Sequence, residues 1–122
     1  MADRKPKVLV VDDERVIADT LVAILRQHGY DAYAIYGGKA AVERARSTNP
    51  DLVIADVIMP DISGVEAAIH IRGLLPQCKI LLFSGQANTA ELLKDAAAQS
   101  YDFELLAKPI HPRDLLAKLG ML

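Results

Sequence analysis

Short apolar runs alternate along this chain with longer stretches in which apolar residues recur every three or four positions. The runs predict strands over 7–11, 31–36, 51–55, 79–83 and 103–107. The helical spacing predicts helices over 14–28, 39–47, 64–74, 89–99 and 112–119. Punctuation agrees with this division. Gly29 follows the first helix as a C-terminal stop, Asn49-Pro50 closes the second, and Pro76 ends the third. Pro112 suits a first helical turn. In the first helix Ile17, Leu21, Ile24 and Leu25 share one face, as expected of a helix packed on a sheet.

Five strand–helix units in succession imply an α/β fold: a parallel sheet with helices on both faces, hence three layers in a doubly wound (βα)5 arrangement. Strand composition suggests the order. The first, third and fourth runs are continuously apolar, as strands covered on both faces are. The second mixes Ala and Ile with Tyr33 and Tyr36 and opens on Asp31, and the fifth carries Glu104, so these two are expected at the edges. Order 2-1-3-4-5 satisfies this. It reverses direction between the first and third strands, where ligands of such sheets bind at the carboxyl ends.

Four of the runs stop on polar residues with chemical capacity. Val8-Leu9-Val10-Val11 stops on Asp12-Asp13, Leu52-Val53-Ile54-Ala55 on Asp56, Ile80-Leu81-Leu82-Phe83 on Ser84, and the last run on Lys108. Each alone has a plain explanation. Asp12 and Asp13 suit a helix start, while Asp56, Ser84-Gly85 and Lys108-Pro109 suit turns. Parallel strands would bring all four ends to one rim, and a shared cleft explains them together.

Composition narrows the class. A chain of 122 residues, 52% hydrophobic, suits one domain (1–122, with an ordered core over about 6–120). With net charge −2 and scattered Lys and Arg, no direct nucleic-acid footprint is expected. No apolar run approaches the about 20 residues of a membrane span, and the first residues lack a signal-peptide core. Cys78 is the only cysteine, so a cytoplasmic, disulfide-free domain is expected. Because the chain stops soon after the last predicted helix, no second domain is expected.

Three carboxylates in one crevice repel each other, and a divalent cation relieves this. Hard oxygen ligands in small number suit Mg²⁺. Mg²⁺, a Lys and a hydroxyl are equipment for holding phosphoryl oxygens. No nucleotide loop accompanies them. Tyr33 stands where a Walker A loop ending at Gly38-Lys39 needs Gly, Ala40 replaces its Ser or Thr, and no G-x-G-x-x-G is present. A carboxylate can itself accept a phosphoryl group. Asp56, between the acidic pair and Ser84, is the best placed.

These residues resemble the receiver domain of two-component response regulators, single-domain and chemotaxis-regulator-like, with a flavodoxin-like fold. The matching pieces are Val10-Val11-Asp12-Asp13-Glu14, Asp56-Val57-Ile58-Met59-Pro60-Asp61-Ile62-Ser63-Gly64, Phe83-Ser84-Gly85 and Lys108-Pro109. The resemblance implies that Asp56 accepts a phosphoryl group from a phosphohistidine on a sensor histidine kinase or histidine phosphotransfer protein. It implies Mg²⁺ on Asp13 and Asp56, on Asp12 largely through water, and on the backbone carbonyl of Ile58. Lys108 would pair with Asp56 and then with phosphoryl oxygens, Ser84 would turn inward, and Gly85 would leave room. Lys108-Pro109 is often cis in the family, and Gly64 fits its loop-to-helix turn. The phosphorylated form would signal to a downstream protein through the face of the 89–99 helix, the 103–107 strand and the 112–119 helix. The chain would then be a signalling module rather than an enzyme, catalysing only its own phosphorylation and dephosphorylation.

One position departs from the family. An aromatic is usual three residues before the Lys, and here Leu105 stands there. Either Phe103, with Tyr101 near it, substitutes in the switch, or the signal passes through the Ser84 loop alone. Ile58 and Gln86 occupy positions that tune dephosphorylation in relatives; Ile58 cannot orient a water. A phosphorelay shuttle and a receiver cut from a larger regulator remain alternatives. A phosphohydrolase of the haloacid dehalogenase type would need Asp where Ile58 stands. A flavin carrier would need hydroxyls where Asp12-Asp13-Glu14 would repel phosphate. His28, His70 and His111 lack ligand spacing. Cys78, the tyrosines around the second strand and Ala96-Ala97-Ala98 are expected to be structural.

Overall fold

The computed structural model describes residues 5–84, 103–107 and 111–120. The elements are β1 (Lys7–Val11), α1 (Arg15–Gln27), β2 (Asp31–Ile35), α2 (Gly38–Thr48), β3 (Leu52–Asp56), α3 (Gly64–Leu74), β4 (Lys79–Ser84), β5 (Glu104–Ala107) and a fourth described helix, α4 (Pro112–Gly120). The expected 89–99 helix, with Gly85, Gln86, Tyr101, Lys108 and Pro109, lies outside the described residues. All five strands are parallel in the order β2-β1-β3-β4-β5.

Alternation along the central strands builds two cores. Leu9 and Val11 of β1, Val53 and Ala55 of β3, and Ile80 and Leu82 of β4 pack with Ala41, Ala45, Val65, Ala68 and Ile71 of α2 and α3. Val8, Val10, Ile54, Leu81 and Phe83 point the other way, onto Ala18, Leu21, Val22 and Leu25 of α1 and Leu115 and Leu119 of α4. Every residue of β3 is buried, whereas β2 is only partly covered and Glu104 and Leu105 of β5 are exposed. Central and edge strands therefore fall where their composition puts them.

The structure shifts one helical face. The buried stripe of α1 is Ala18, Leu21, Val22 and Leu25, and Ile17 and Ile24 are half-buried at its flanks. Small Ala18 lets the helix come close to the sheet, so the centre of contact moves one residue along from Ile17. The stop at Gly29 is a Schellman turn: φ is +90°, Gly29 N–H donates to Arg26 O, and Tyr30 N–H donates to Leu25 O. Asn49 closes α2 with a left-handed φ of 52°. Ser63 caps α3, its Oγ accepting from Glu66 N–H at 3.0 Å. His111 caps α4, its Nδ1 accepting from Arg113 N–H at 3.1 Å. His28 Nδ1 lies 2.9 Å from the Ile24 carbonyl oxygen at the end of α1.

Candidate functional site

Strand register fixes which strand ends meet. Val11 stands opposite Ala55, Asp56 opposite Phe83, and Ser84 opposite Ala107. Asp12, one residue past the end of β1, is thus level with Asp56, the last residue of β3. The sequence places Asp56 just after its strand; the structure includes it, and likewise includes Ser84 in β4. The chain continues from Ala107 into Lys108, whose own position is not described.

The acidic residues converge. Carboxylate oxygens of Asp12, Asp13 and Asp56 all lie within 4.8 Å of one another. Asp12 is fully buried, Asp56 is 6% exposed, and Asp13 faces solvent. Backbone amides orient the two buried carboxylates. Asp12 Oδ1 accepts from Glu14 N–H at 2.9 Å, and Asp56 Oδ1 accepts from Ile58 N–H at 3.4 Å. Asp12 N–H donates to Ile35 O at 3.0 Å, tying β1 to the end of β2. Glu14, not Asp12 or Asp13, is the N-cap of α1, and it makes no side-chain cap bond.

The donor set fits a hard divalent cation. Oxygens within 4.8 Å of one another are near enough to share one such ion. Negative charge concentrated on two buried groups and one exposed group is what such an ion offsets. Asp13 is exposed, which suits an ion that keeps several waters.

The loop over 57–63 forms the other wall. Val57 N–H donates to Phe83 O at 3.0 Å, and Gly64 N–H to Val57 O at 2.6 Å. Gly64 is required here, since a Cβ would fall on the Asp56 carbonyl and within 2.9 Å of Val57 Cα. Met59 is buried, while Ile58 is 40% exposed beside the cluster. Asp61 turns away and caps α2: its carboxylate accepts from Gly38 N–H at 3.1 Å and Lys39 N–H at 2.8 Å. Those amide bonds hold its carboxyl below the usual carboxylate range. In the sequence Asp61 stands only as part of the matching 56–64 stretch, with no role of its own. The available signal is the Gly37-Gly38 start of α2, a helix with no capping side chain of its own.

The switch positions separate. Leu105 is 42% exposed on β5. Phe103 precedes β5 at the end remote from the cleft, half-buried under the Arg72 guanidinium, whose Cζ lies 5.2 Å from the ring centre. It packs against the α2–α3 core and is not beside the cluster. Cys78 is buried near the amino end of β4, where desolvation pushes its thiol up to about 11, so it is inert at neutral pH.

A parallel sheet of this order with an acidic cluster at its switch point defines a doubly wound α/β domain with a candidate cation site. The chain belongs to the response regulator receiver domain family, whose model matches residues 8–120. It is 33% identical over 119 residues to the transcriptional regulatory protein CreB of Escherichia coli, covering 98% of this chain and 51% of that protein. The chain thus spans about half the length of this relative. Among solved structures it is similar to the chemotaxis protein CheY4 of Vibrio cholerae, with TM-score 0.86, 27% identity and coverage of 97% of this chain and 98% of that one. It is also similar to a CheY-like receiver domain protein of Methanospirillum hungatei, with TM-score 0.85, 25% identity and coverage of 97% and 93%. It is a signalling module of the CheY-like type. No described helix is long and apolar enough to cross a membrane.

Proposed function

We propose that Asp56 is the phosphoacceptor of this receiver domain, taking its phosphoryl group from a phosphohistidine on a sensor histidine kinase or histidine phosphotransfer protein. The observation that carries this reading is the convergence of Asp12, Asp13 and Asp56 oxygens within 4.8 Å at the switch point. An Asp56 oxygen attacks phosphorus. The bond from the imidazole nitrogen to phosphorus breaks, an oxygen–phosphorus bond forms, and the imidazole takes up a proton. Asp13, Asp56 and the Ile58 carbonyl would hold Mg²⁺, with Asp12 reaching it largely through water. The bound ion supplies charge neutralisation at the transferring group. The Ile58 N–H on Asp56 Oδ1 helps to hold that carboxylate in one rotamer.

Lys108 and Ser84 act on the phosphoryl oxygens, and Gly85 gives Ser84 room to turn. Phosphorylation adds about −1.5 to −2 charges to the cleft. The added charge pulls on the ends of β4 and β5, with Lys108 and Pro109 following. The signal reaches a downstream protein through the face that includes exposed Leu105. The distance of Phe103 from the cluster favours a relay through the Ser84 loop without an aromatic partner. The domain acts in the cytoplasm, turns over no separate substrate, and touches neither membrane nor nucleic acid itself.

The test is phosphorylation by an acyl-phosphate donor with Mg²⁺. Wild-type chain gains one hydroxylamine-labile phosphoryl group and Asp56→Asn gains none. Equal labelling of the variant would remove Asp56 from the role.

A further inference from the structure

The loop over 57–63 reaches the cluster through Ile58 yet is tied at Asp61 to a helix that contributes nothing to the cluster. Helix α2 is preceded by its N-cap Gly37, an extended residue (φ −166°, ψ 159°) with no side chain, so no side chain at the cap accepts from its first amides. Asp61 supplies one from more than twenty residues away, taking Gly38 N–H and Lys39 N–H with its two oxygens. The fit is close on both sides. A Cβ on Gly38 would lie 2.5 Å from Ile62 Cγ1 and 3.1 Å from the Ile62 carbonyl oxygen. A Cβ on Gly37 would lie 3.3 Å from Asp61 Oδ2. Gly37-Gly38 is thus a seat into which residues 61 and 62 press. A charged acceptor at a helix N-terminus is also favoured by the helix dipole.

We propose that Asp61 is a positioning residue for the cation site, holding the Ile58 segment in place by clamping its loop to the N-terminus of α2. This rests on the receiver reading, in which the Ile58 carbonyl is an Mg²⁺ ligand. One end of the loop is fixed by Val57 on Phe83 O and the other by Gly64 against Asp56. Between them, buried Met59 anchors one side of the loop and Asp61 the other. Releasing Asp61 frees residues 58–62 to move without unfolding the sheet. The lowered carboxyl range of Asp61 agrees with a group kept ionised by its amide partners.

The test is isothermal titration calorimetry with Mg²⁺ alone on the full chain and three variants. Asp61→Ala removes both bonds. Gly38→Ala leaves Asp61 intact, improves helix propensity, and drives a methyl group into Ile62. Asn49→Ala strains the left-handed residue at the other end of α2 (φ 52°) and serves as the control for a generally weakened helix. The expected result is an Mg²⁺ Kd weakened about tenfold in Asp61→Ala and Gly38→Ala, the low end of what losing a ligand-orienting partner costs, and unchanged in Asn49→Ala. An unchanged Kd in Asp61→Ala overturns the positioning role and leaves the receiver reading intact. Equal weakening in Asn49→Ala also overturns it, reducing Asp61 to a stabiliser of α2. If Asp61→Ala does not fold, Gly38→Ala decides in the same way. Failure of the wild-type chain to bind Mg²⁺ overturns both readings.

Discussion

Single residues in this domain are constrained by what lies within one atom's reach. Gly64 is the sharpest case, because its missing Cβ is replaced by the Asp56 carbonyl. Gly64→Ala forces backbone against backbone at the end of β3, with an expected loss of about 3 kcal/mol, the upper part of the overpacking range. A urea midpoint measures it, and an unchanged midpoint would mean that the loop yields freely. Cys78 carries an opposite lesson, since burial makes a nucleophile inert. Its thiol is raised to about 11, so the stability gained from a neutral buried thiol is complete below about 8.5 and lost as pH rises through the folded value. At pH 7.5 an aromatic disulfide reagent is expected to modify Cys78 only as fast as the domain opens; burst labelling would contradict this. Asp61 titrates the other way. Its lowered carboxyl contributes fully above about 3.9 and loses that contribution as pH falls through the folded value. Carboxyl NMR should find its midpoint below that of a model peptide.

At the scale of elements, the sequence was readable where one physical rule dominates. Strands buried on both faces read as unbroken apolar runs, and edge strands carry Asp31 and Glu104, so order and direction followed from composition. The Ser63-Gly64-Val65-Glu66 start of α3 fits the pattern of a side-chain cap, and Ser63 Oγ takes the Glu66 amide. Ends and faces set by tertiary contact were less legible. The α1 stripe centres on Ala18, Leu21, Val22 and Leu25 because closeness to the sheet, not hydrophobicity, decides which residue sits deepest. The cap of α2 comes from Asp61 across the fold; Gly37-Gly38 shows that a local cap is missing but not which distant residue replaces it. The same division predicts mutational cost. Phe83, fully buried between β4 and the α1–α4 layer, should cost about 3–5 kcal/mol on truncation to Ala. Leu105→Tyr, on the exposed edge, should stay within about 0.5 kcal/mol. Denaturant unfolding of both variants checks the contrast.

The whole molecule turns five parallel strands into one chemical address. Because every strand points the same way, Asp12 and Asp13 after β1, Asp56 ending β3 and Ser84 ending β4 arrive at one rim though they are spread over most of the chain. This convergence was legible once the strands were recognised, since parallel direction alone places their ends together. The carboxylate separation was not, because it depends on amide bonds from Glu14 and Ile58 that set each rotamer. Charge repulsion in the cluster makes the fold itself a sensor of the cation. Saturating Mg²⁺ at a hundredfold excess over Kd should add about 2.7 kcal/mol of stability, seen as a rise of several degrees in Tm. The most direct measurement is intact-protein and peptide mass spectrometry after incubation with an acyl-phosphate donor, with and without Mg²⁺. The expected result is a single phosphoryl group on the peptide containing Asp56, formed only with Mg²⁺ and absent in Asp56→Asn; a phosphoryl group on any other residue, or none in the presence of Mg²⁺, would contradict the assignment of this cleft.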